Sequence, residues 1–245
     1  MNVLYTNIAK LNIKISHRYG YIARLCERYL SDAAGETGEE NIDIDASVTE
    51  EDMEREAGLI EVPEGREPHP AHVEAMALFR KIAEKLPEFG CFLMHGSAVS
   101  VDGKAYIFTA PSGTGKSTHA SLWRKVFGDR AVMVNDDKPF IRLTGDGIFV
   151  CGTPWNGKHG LGDNICVPLK AVCLLKRAAV NGIERITSVA AFPRLMMQTY
   201  RPADPEMLSL TLGLLDRVSK ETELYELGCN MDPEAAIVAY EGMNR

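Results

Sequence analysis

One segment of the chain, AYIFTAPSGTGKSTHASLWRKVF over residues 105–127, restricts its fold more than any other. Tyr106 to Thr109 is an apolar, strand-sized run. Ala110-Pro111-Ser112-Gly113-Thr114-Gly115-Lys116-Ser117 is a turn rich in small residues, and Ser117 to Val126 reads as a helix. A strand that runs through such a turn into a helix matches the phosphate-loop pattern, with Ala110 in the place of the usual first glycine. Gly113 and Gly115 let the backbone curl so that its N–H groups point inward, and the start of the helix adds positive potential at the same point. Lys116 is placed to reach the β- and γ-phosphates of a nucleotide, and the Ser117 hydroxyl to ligate magnesium. Ala110 to Thr118 are therefore the expected nucleotide-binding residues.

Two turns build further groups around this loop. Upstream, in LMHGSAVSVDGKAYIFTAP, Asp102-Gly103 sits between apolar runs and predicts a two-residue hairpin. If Val101 pairs with Lys104, His95 falls opposite Ala110 at the mouth of the loop, as a titratable, metal-capable group. The plainer alternative is a strand histidine satisfied by the backbone. Downstream, Ala131 to Val134 is a short strand that ends in Asn135-Asp136-Asp137. A strand–helix–strand unit returns that end to the edge carrying the loop. There one acid can hold magnesium and the other can accept a proton, unless both simply cap a turn. Gly145-Asp146-Gly147 predicts a second hairpin that brings GTPWNGKHGLGDN (152–164) to the same border. In that stretch Lys158 is placed to neutralise phosphate charge and Trp155 to stack or wall a pocket; the alternative is a surface loop anchored by one tryptophan.

Composition excludes several classes. The formal net charge of −7 over 245 residues argues against a general nucleic-acid binder. No apolar run has the length of a membrane span, and MNVLYTNIAKLNIKIS alternates where a secretory signal would be continuous, so a cytoplasmic protein is expected. Cys26, Cys91, Cys151, Cys166, Cys173 and Cys229 form no C-x-x-C pair and read as reduced, buried thiols. The chain divides by texture into an accessory segment, 1–88, and a main domain, 89–245, whose last part is mostly helical. Ile8, Leu11, Ile13 and Ile15 suggest a strand, Tyr21 to Leu30 a helix, and Ala71 to Leu86 another. Residues 32–70 read as the most mobile region, with one strand candidate at Asn41–Ala46. Asp232 is expected to cap the last helix.

Met94-His95-Gly96, the hairpin, the phosphate loop and the acid pair about twenty residues after Lys116 together resemble the HPr kinase/phosphorylase and phosphoenolpyruvate carboxykinase superfamily. The clear likeness covers about residues 91–140. The expected fold is α/β with a core like that superfamily's, a mixed sheet around the P-loop with helices on both faces; the mixed sheet follows from the two hairpins flanking a strand–helix–strand unit. The likeness implies a kinase that uses ATP and Mg2+ and passes the γ-phosphate to a hydroxyl, on Ser or Thr of a small protein or peptide, or on a small metabolite. By the same likeness His95, Lys116 and Asp136 would be catalytic, with Asp136 as base, and Ser117, Asp137 and His95 would face the metal. HPr kinases assemble into rings, which puts a homo-oligomer among the expected partners. The sequence departs from HPr kinases in ending its loop Lys-Ser-Thr and in replacing the later E-x-x-G-x-G with Gly152–Lys158. Both departures point away from HPr itself as acceptor. A nucleotide-binding regulatory module without an acceptor is the alternative.

Overall fold

The chain opens with two strands where the apolar pattern suggests one. β1 (Asn2–Ile8) and β2 (Leu11–His17) pair antiparallel from Asn2↔His17 to Ile8↔Leu11. The turn between them is Ala9-Lys10, with φ of 54° and 62°. This left-handed pair fits a tight hairpin but carries none of the Gly or Asn that usually marks one. The structure, a computed structural model, describes residues 1–31, 41–63, 65–157 and 159–245. Lys158 and part of the expected mobile region, residues 32–40, therefore lie outside the described residues.

The chain forms two compact units, Met1–Lys85 and Leu86–Arg245. In the first, α1 (Gly20–Leu25) is followed by a 3-10 turn, Glu27–Tyr29, so the helix expected to reach Leu30 stops early. β3 (Ile44–Ala46) pairs parallel with β2. Part of the expected mobile region is ordered here, because α2 (Glu50–Ala57) starts on a capping box. The Asp52 N–H donates to Thr49 Oγ1 at 3.2 Å and the Thr49 N–H to Asp52 Oδ2 at 3.0 Å. α2 has little apolar character, so only its cap marks it in sequence. α3 (Pro70–Lys85) packs on α1, α2 and β3.

The second unit is a mixed sheet with helices on both faces. Its strands are β4 (Cys91–Leu93), β5 (Ser97–Val101), β6 (Lys104–Thr109), β7 (Ala131–Asn135), β8 (Phe140–Thr144), β9 (Gly147–Cys151), β10 (Cys166–Arg177), β11 (Gly182–Arg185) and β12 (Glu223–Cys229). Its helices are α4 (Lys116–Phe127), α5 (Ser188–Gln198), α6 (Pro205–Glu221) and α7 (Glu234–Met243). The strand order is β4-β8-β9-β10-β6-β5-β7, with β12 also on β10 and β11 beyond it. β10 makes the sheet curl. Its first residues pair antiparallel with β9, and the rest lies parallel to both β6 and β12.

Strand alternation divides the core in two. Ala98, Ile107, Val172, Leu174 and Leu224 face Leu195 of α5 and Leu215 and Val218 of α6. Val99, Tyr106, Phe108, Cys173 and Tyr225 face Trp123 of α4 and Ala236 and Ala239 of α7. α4 is pinned through Trp123, whose indole N–H donates to His119 Nε2 at 3.0 Å, and burial pushes the His119 pKa down to about 4.

Two expectations need correction. Cys151 and Cys166 are not free thiols but a disulfide. They are direct partners in the β9–β10 register, with Cα atoms 4.1 Å apart, and the fifteen-residue spacing between them hides this in sequence. Cys26, Cys91, Cys173 and Cys229 are free, and burial pushes the Cys26 and Cys91 thiols up to about 12. Asp232 does not cap α7 through its side chain; the Asp232 carbonyl accepts from the Ala235 N–H instead. Among the described residues, no helix is long and apolar enough to cross a membrane.

Candidate functional site

The β5–β6 hairpin has the register that Asp102-Gly103 predicts: Val101 pairs with Lys104 and Ser97 with Phe108. Just past the last pair, Thr109 Oγ1 donates to the His95 carbonyl at 2.7 Å. The hairpin thus carries His95 to the C-terminal end of β6, where the glycine-rich loop begins. Gly113 (φ 76°) and Gly115 (φ 125°) hold backbone angles that L side chains rarely adopt. Lys116 is 7% exposed and folds back on the loop, its Nζ donating to the Ala110 carbonyl at 2.9 Å. Burial lowers its pKa.

The acidic turn is built from residues distant in sequence. Asn135 is fully buried, and its amide binds on both sides. Its Oδ1 accepts from the Asp137 and Lys138 N–H groups at 2.8 and 2.6 Å, the pattern of an Asx turn. Its Nδ2 donates to the Thr153 carbonyl at 3.1 Å and to Asn156 Oδ1 at 3.0 Å. The Asp136 N–H donates to the Leu161 carbonyl at 3.1 Å, and Gly96 and Ser97 hold the Asp137 and Asp136 carbonyls at 3.0 Å. Thr153, Asn156, Gly157 and Leu161 therefore lie against the acidic turn, as the second hairpin predicts. Gly152 has to be glycine: a Cβ there would sit 1.8 Å from the Asp163 carbonyl oxygen.

The two aspartates have opposite environments. Asp136 is 3% exposed; its Oδ1 accepts from the Gly157 N–H at 2.6 Å and its Oδ2 is buried with no hydrogen-bond partner among the described residues. Burial, and then the neighbouring Asp137 charge, raise its pKa against the pull of the Gly157 N–H. For Asp137 burial again pushes upward, but His95 and Lys138 outweigh it and hold the carboxyl down at about 2. His95 Nε2 lies 3.3 Å from Asp137 Oδ1, and Lys138 Nζ pairs with the other oxygen. The second ring nitrogen, Nδ1, lies 3.2 Å from Gln198 Oε1, and the Gln198 carbonyl accepts the His95 N–H at 2.7 Å. With Nε2 facing an acceptor-only carboxylate, the flippable amide of Gln198 can meet Nδ1 as acceptor or as donor.

These groups share one cavity of about 970 Å3. His95, Lys116, Ser117, Thr118, Asp136 and Asp137 line it, with Ser112, Gly113 and Gly115 of the loop. Ala110, Pro111 and Thr114 are not lining residues; they shape the loop, the Thr114 N–H donating to the Pro111 carbonyl at 3.3 Å. Trp155 is not a lining residue either; it is 5% exposed and part of the interior. Sequence reasoning missed Arg124, Ser121 and His159, which line the cavity, and Gln198 and Lys138, which hold His95 and Asp137. The Asn135 turn had a local signal, an Asx residue at a strand end. Gln198 had none, since 103 residues separate it from His95.

Asp136, whose buried Oδ2 has no hydrogen-bond partner among the described residues, lines the cavity together with Asp137 and Ser117. Among the described residues no three His, Cys, Asp or Glu side chains gather as an ion cage. Magnesium carried by phosphates needs only one or two protein carboxylates. Neither sequence comparison returns a match: no family model fits the chain, and no curated protein matches it.

Proposed function

We propose that the unit Leu86–Arg245 is a magnesium-dependent kinase of the HPr kinase-like type, with Ala110–Ser117 as its P-loop. ATP is the donor and a hydroxyl the acceptor. The observation that carries this reading is the convergence on one cavity of Lys116 and Ser117 with two aspartates in opposite electrostatic states. Phosphoryl transfer to an alcohol can use that division of labour: one carboxylate that stays anionic beside the metal, and one that accepts a proton.

In this reading Lys116 Nζ leaves the Ala110 carbonyl to meet the phosphate oxygens. Magnesium would supply charge neutralisation at the nucleotide phosphates, and Ser117 Oγ and Asp137 are the residues that would hold it. Asp136 Oδ2 accepts the acceptor's proton as the new O–P bond forms and the bond between the γ-phosphorus and its bridging oxygen breaks, leaving ADP. Burial makes Asp136 a stronger base than a solvated carboxylate. His95 keeps Asp137 in place through Nε2, and Gln198 orients the ring.

The test is incubation of the protein with γ-labelled ATP and magnesium beside the protein and small-molecule fractions of a host extract. Label is expected to pass to one fraction with the wild type and to neither with Lys116→Ala. ADP formation that needs no added fraction would support the regulatory nucleotidase instead.

A further inference from the structure

β10 is parallel to β6 and pairs Leu174 with Thr109, then runs three residues further, to Arg177. That overhang sets Arg177 beside the loop that follows β6. Its Nη2 donates to the Gly113 carbonyl at 2.5 Å and its Nε faces the Thr114 carbonyl at 3.4 Å. A trans peptide points its C=O and N–H in opposite directions. Holding the Thr114 carbonyl outward therefore turns the Gly115 N–H toward the opposite side, and Gly115 lines the cavity. The Gly113 contact acts one peptide earlier, on the Pro111–Thr114 turn. The neighbouring Lys176 is neutralised by Glu226, which also takes Arg194. Arg177 makes no ion pair with a carboxylate among the described residues, so its charge stands at the loop uncompensated.

We propose that Arg177 is a positioning residue for the donor phosphates: its fork on the Gly113 and Thr114 carbonyls sets the loop in its phosphate-accepting shape. This rests on reading Ala110–Ser117 as a nucleotide loop. It is a role that no part of the 105–127 motif carries, because Arg177 sits 64 residues from Gly113. Arginine is suited to it, being always charged and offering several donors in one fixed plane; a lysine keeps the charge but not the fork.

The experiment is calorimetric titration of the full chain and of Arg177→Gln and Arg177→Lys. Each is titrated with Mg·ATP and with magnesium tripolyphosphate, beside the melting temperature without ligand. Arg177→Gln should weaken both ligands about tenfold, the effect of losing one charge-assisted hydrogen-bonding group, and Arg177→Lys should recover about a third of that on a logarithmic scale. Arg177 is exposed, so the unliganded melting temperature should stay within about 2 °C of wild type. Wild-type affinity in Arg177→Gln overturns the proposal, and so does a melting temperature that falls in step with affinity. Weakening of Mg·ATP without weakening of tripolyphosphate also overturns it, since Arg177 would then serve the nucleoside. If the wild type binds neither ligand, the nucleotide reading itself falls and takes this inference with it.

Discussion

The two walls of the cavity are built on different principles. The loop wall, Ala110–Ser117, is local. Its residues Pro111 to Gly113 are exposed, and most of its hydrogen bonds stay within six residues, as from Lys116 Nζ to Ala110 and from the Thr114 N–H to Pro111. The acidic wall is non-local. Asn135 and Asp136 are buried, and their partners come from Ser97, Thr153, Asn156, Gly157 and Leu161. A wall shaped by backbone angles tolerates solvent, because it does not depend on burial. A wall that shifts carboxylate pKa values must exclude water, so it needs many partners to satisfy what it buries.

Four substitutions probe this contrast. Lys116→Ala should have the largest effect: transfer falls by about a thousandfold or more and thermal stabilisation by Mg·ATP disappears. The unliganded protein should lose no more than about 1 kcal/mol, because the ammonium holds only loop carbonyls. Equal Mg·ATP stabilisation in the variant and the wild type would sink the loop as a phosphate site.

Asp136→Asn comes next. Single-turnover transfer should drop by about 100- to 1,000-fold while the calorimetric affinity for Mg·ATP stays within about twofold. The raised pKa means that folding carries an unfavourable carboxylate at neutral pH, so the unliganded variant should be at least as stable as wild type. Transfer at the wild-type rate would remove Asp136 as base.

Asn135→Leu tests the non-local wall directly. It leaves the Asp137 and Lys138 N–H groups and the Thr153 carbonyl without their side-chain partner, so about 3 kcal/mol of stability should be lost in urea unfolding. A loss no larger than that of an exposed-loop variant would erase the distinction between the walls.

The smallest effect is a pH dependence. Asp137 has a folded pKa of about 2 against a reference of 3.8. A depressed carboxylate contributes stability above its unfolded pKa and loses it as pH falls through the folded one. The stability difference between wild type and Asp137→Asn should therefore shrink by about 2 kcal/mol between roughly pH 5 and pH 2. A difference that stays flat across that range would mean His95 and Lys138 do not hold the carboxylate.

How far the sequence could be read follows from the same contrast. The strand–loop–helix over 104–127 and the β5–β6 register were legible, because glycine positions and a two-residue turn act over a few residues. The Ala9-Lys10 turn was not, since neither residue advertises a positive φ. α2 gives a weak apolar pattern, and in the sequence only Thr49 and Asp52 spell its start. Cys151 and Cys166 read as separate thiols in the sequence because their pairing depends on the β9–β10 register.

By itself, then, the sequence determined the local geometry: where the chain turns, which strand delivers the glycine-rich loop, and that His95 rides the hairpin to the end of β6. Tertiary structure decided everything that needs one side chain to feel another across the fold. It buried Asp136 beside Gly157, tied Asp137 to His95 and Lys138, set Gln198 behind His95 and laid Arg177 on the loop. The physical reason is range. Backbone torsions are set by neighbours in the chain, whereas burial and charge are set by neighbours in space, and the curl of the sheet through β10 chooses those.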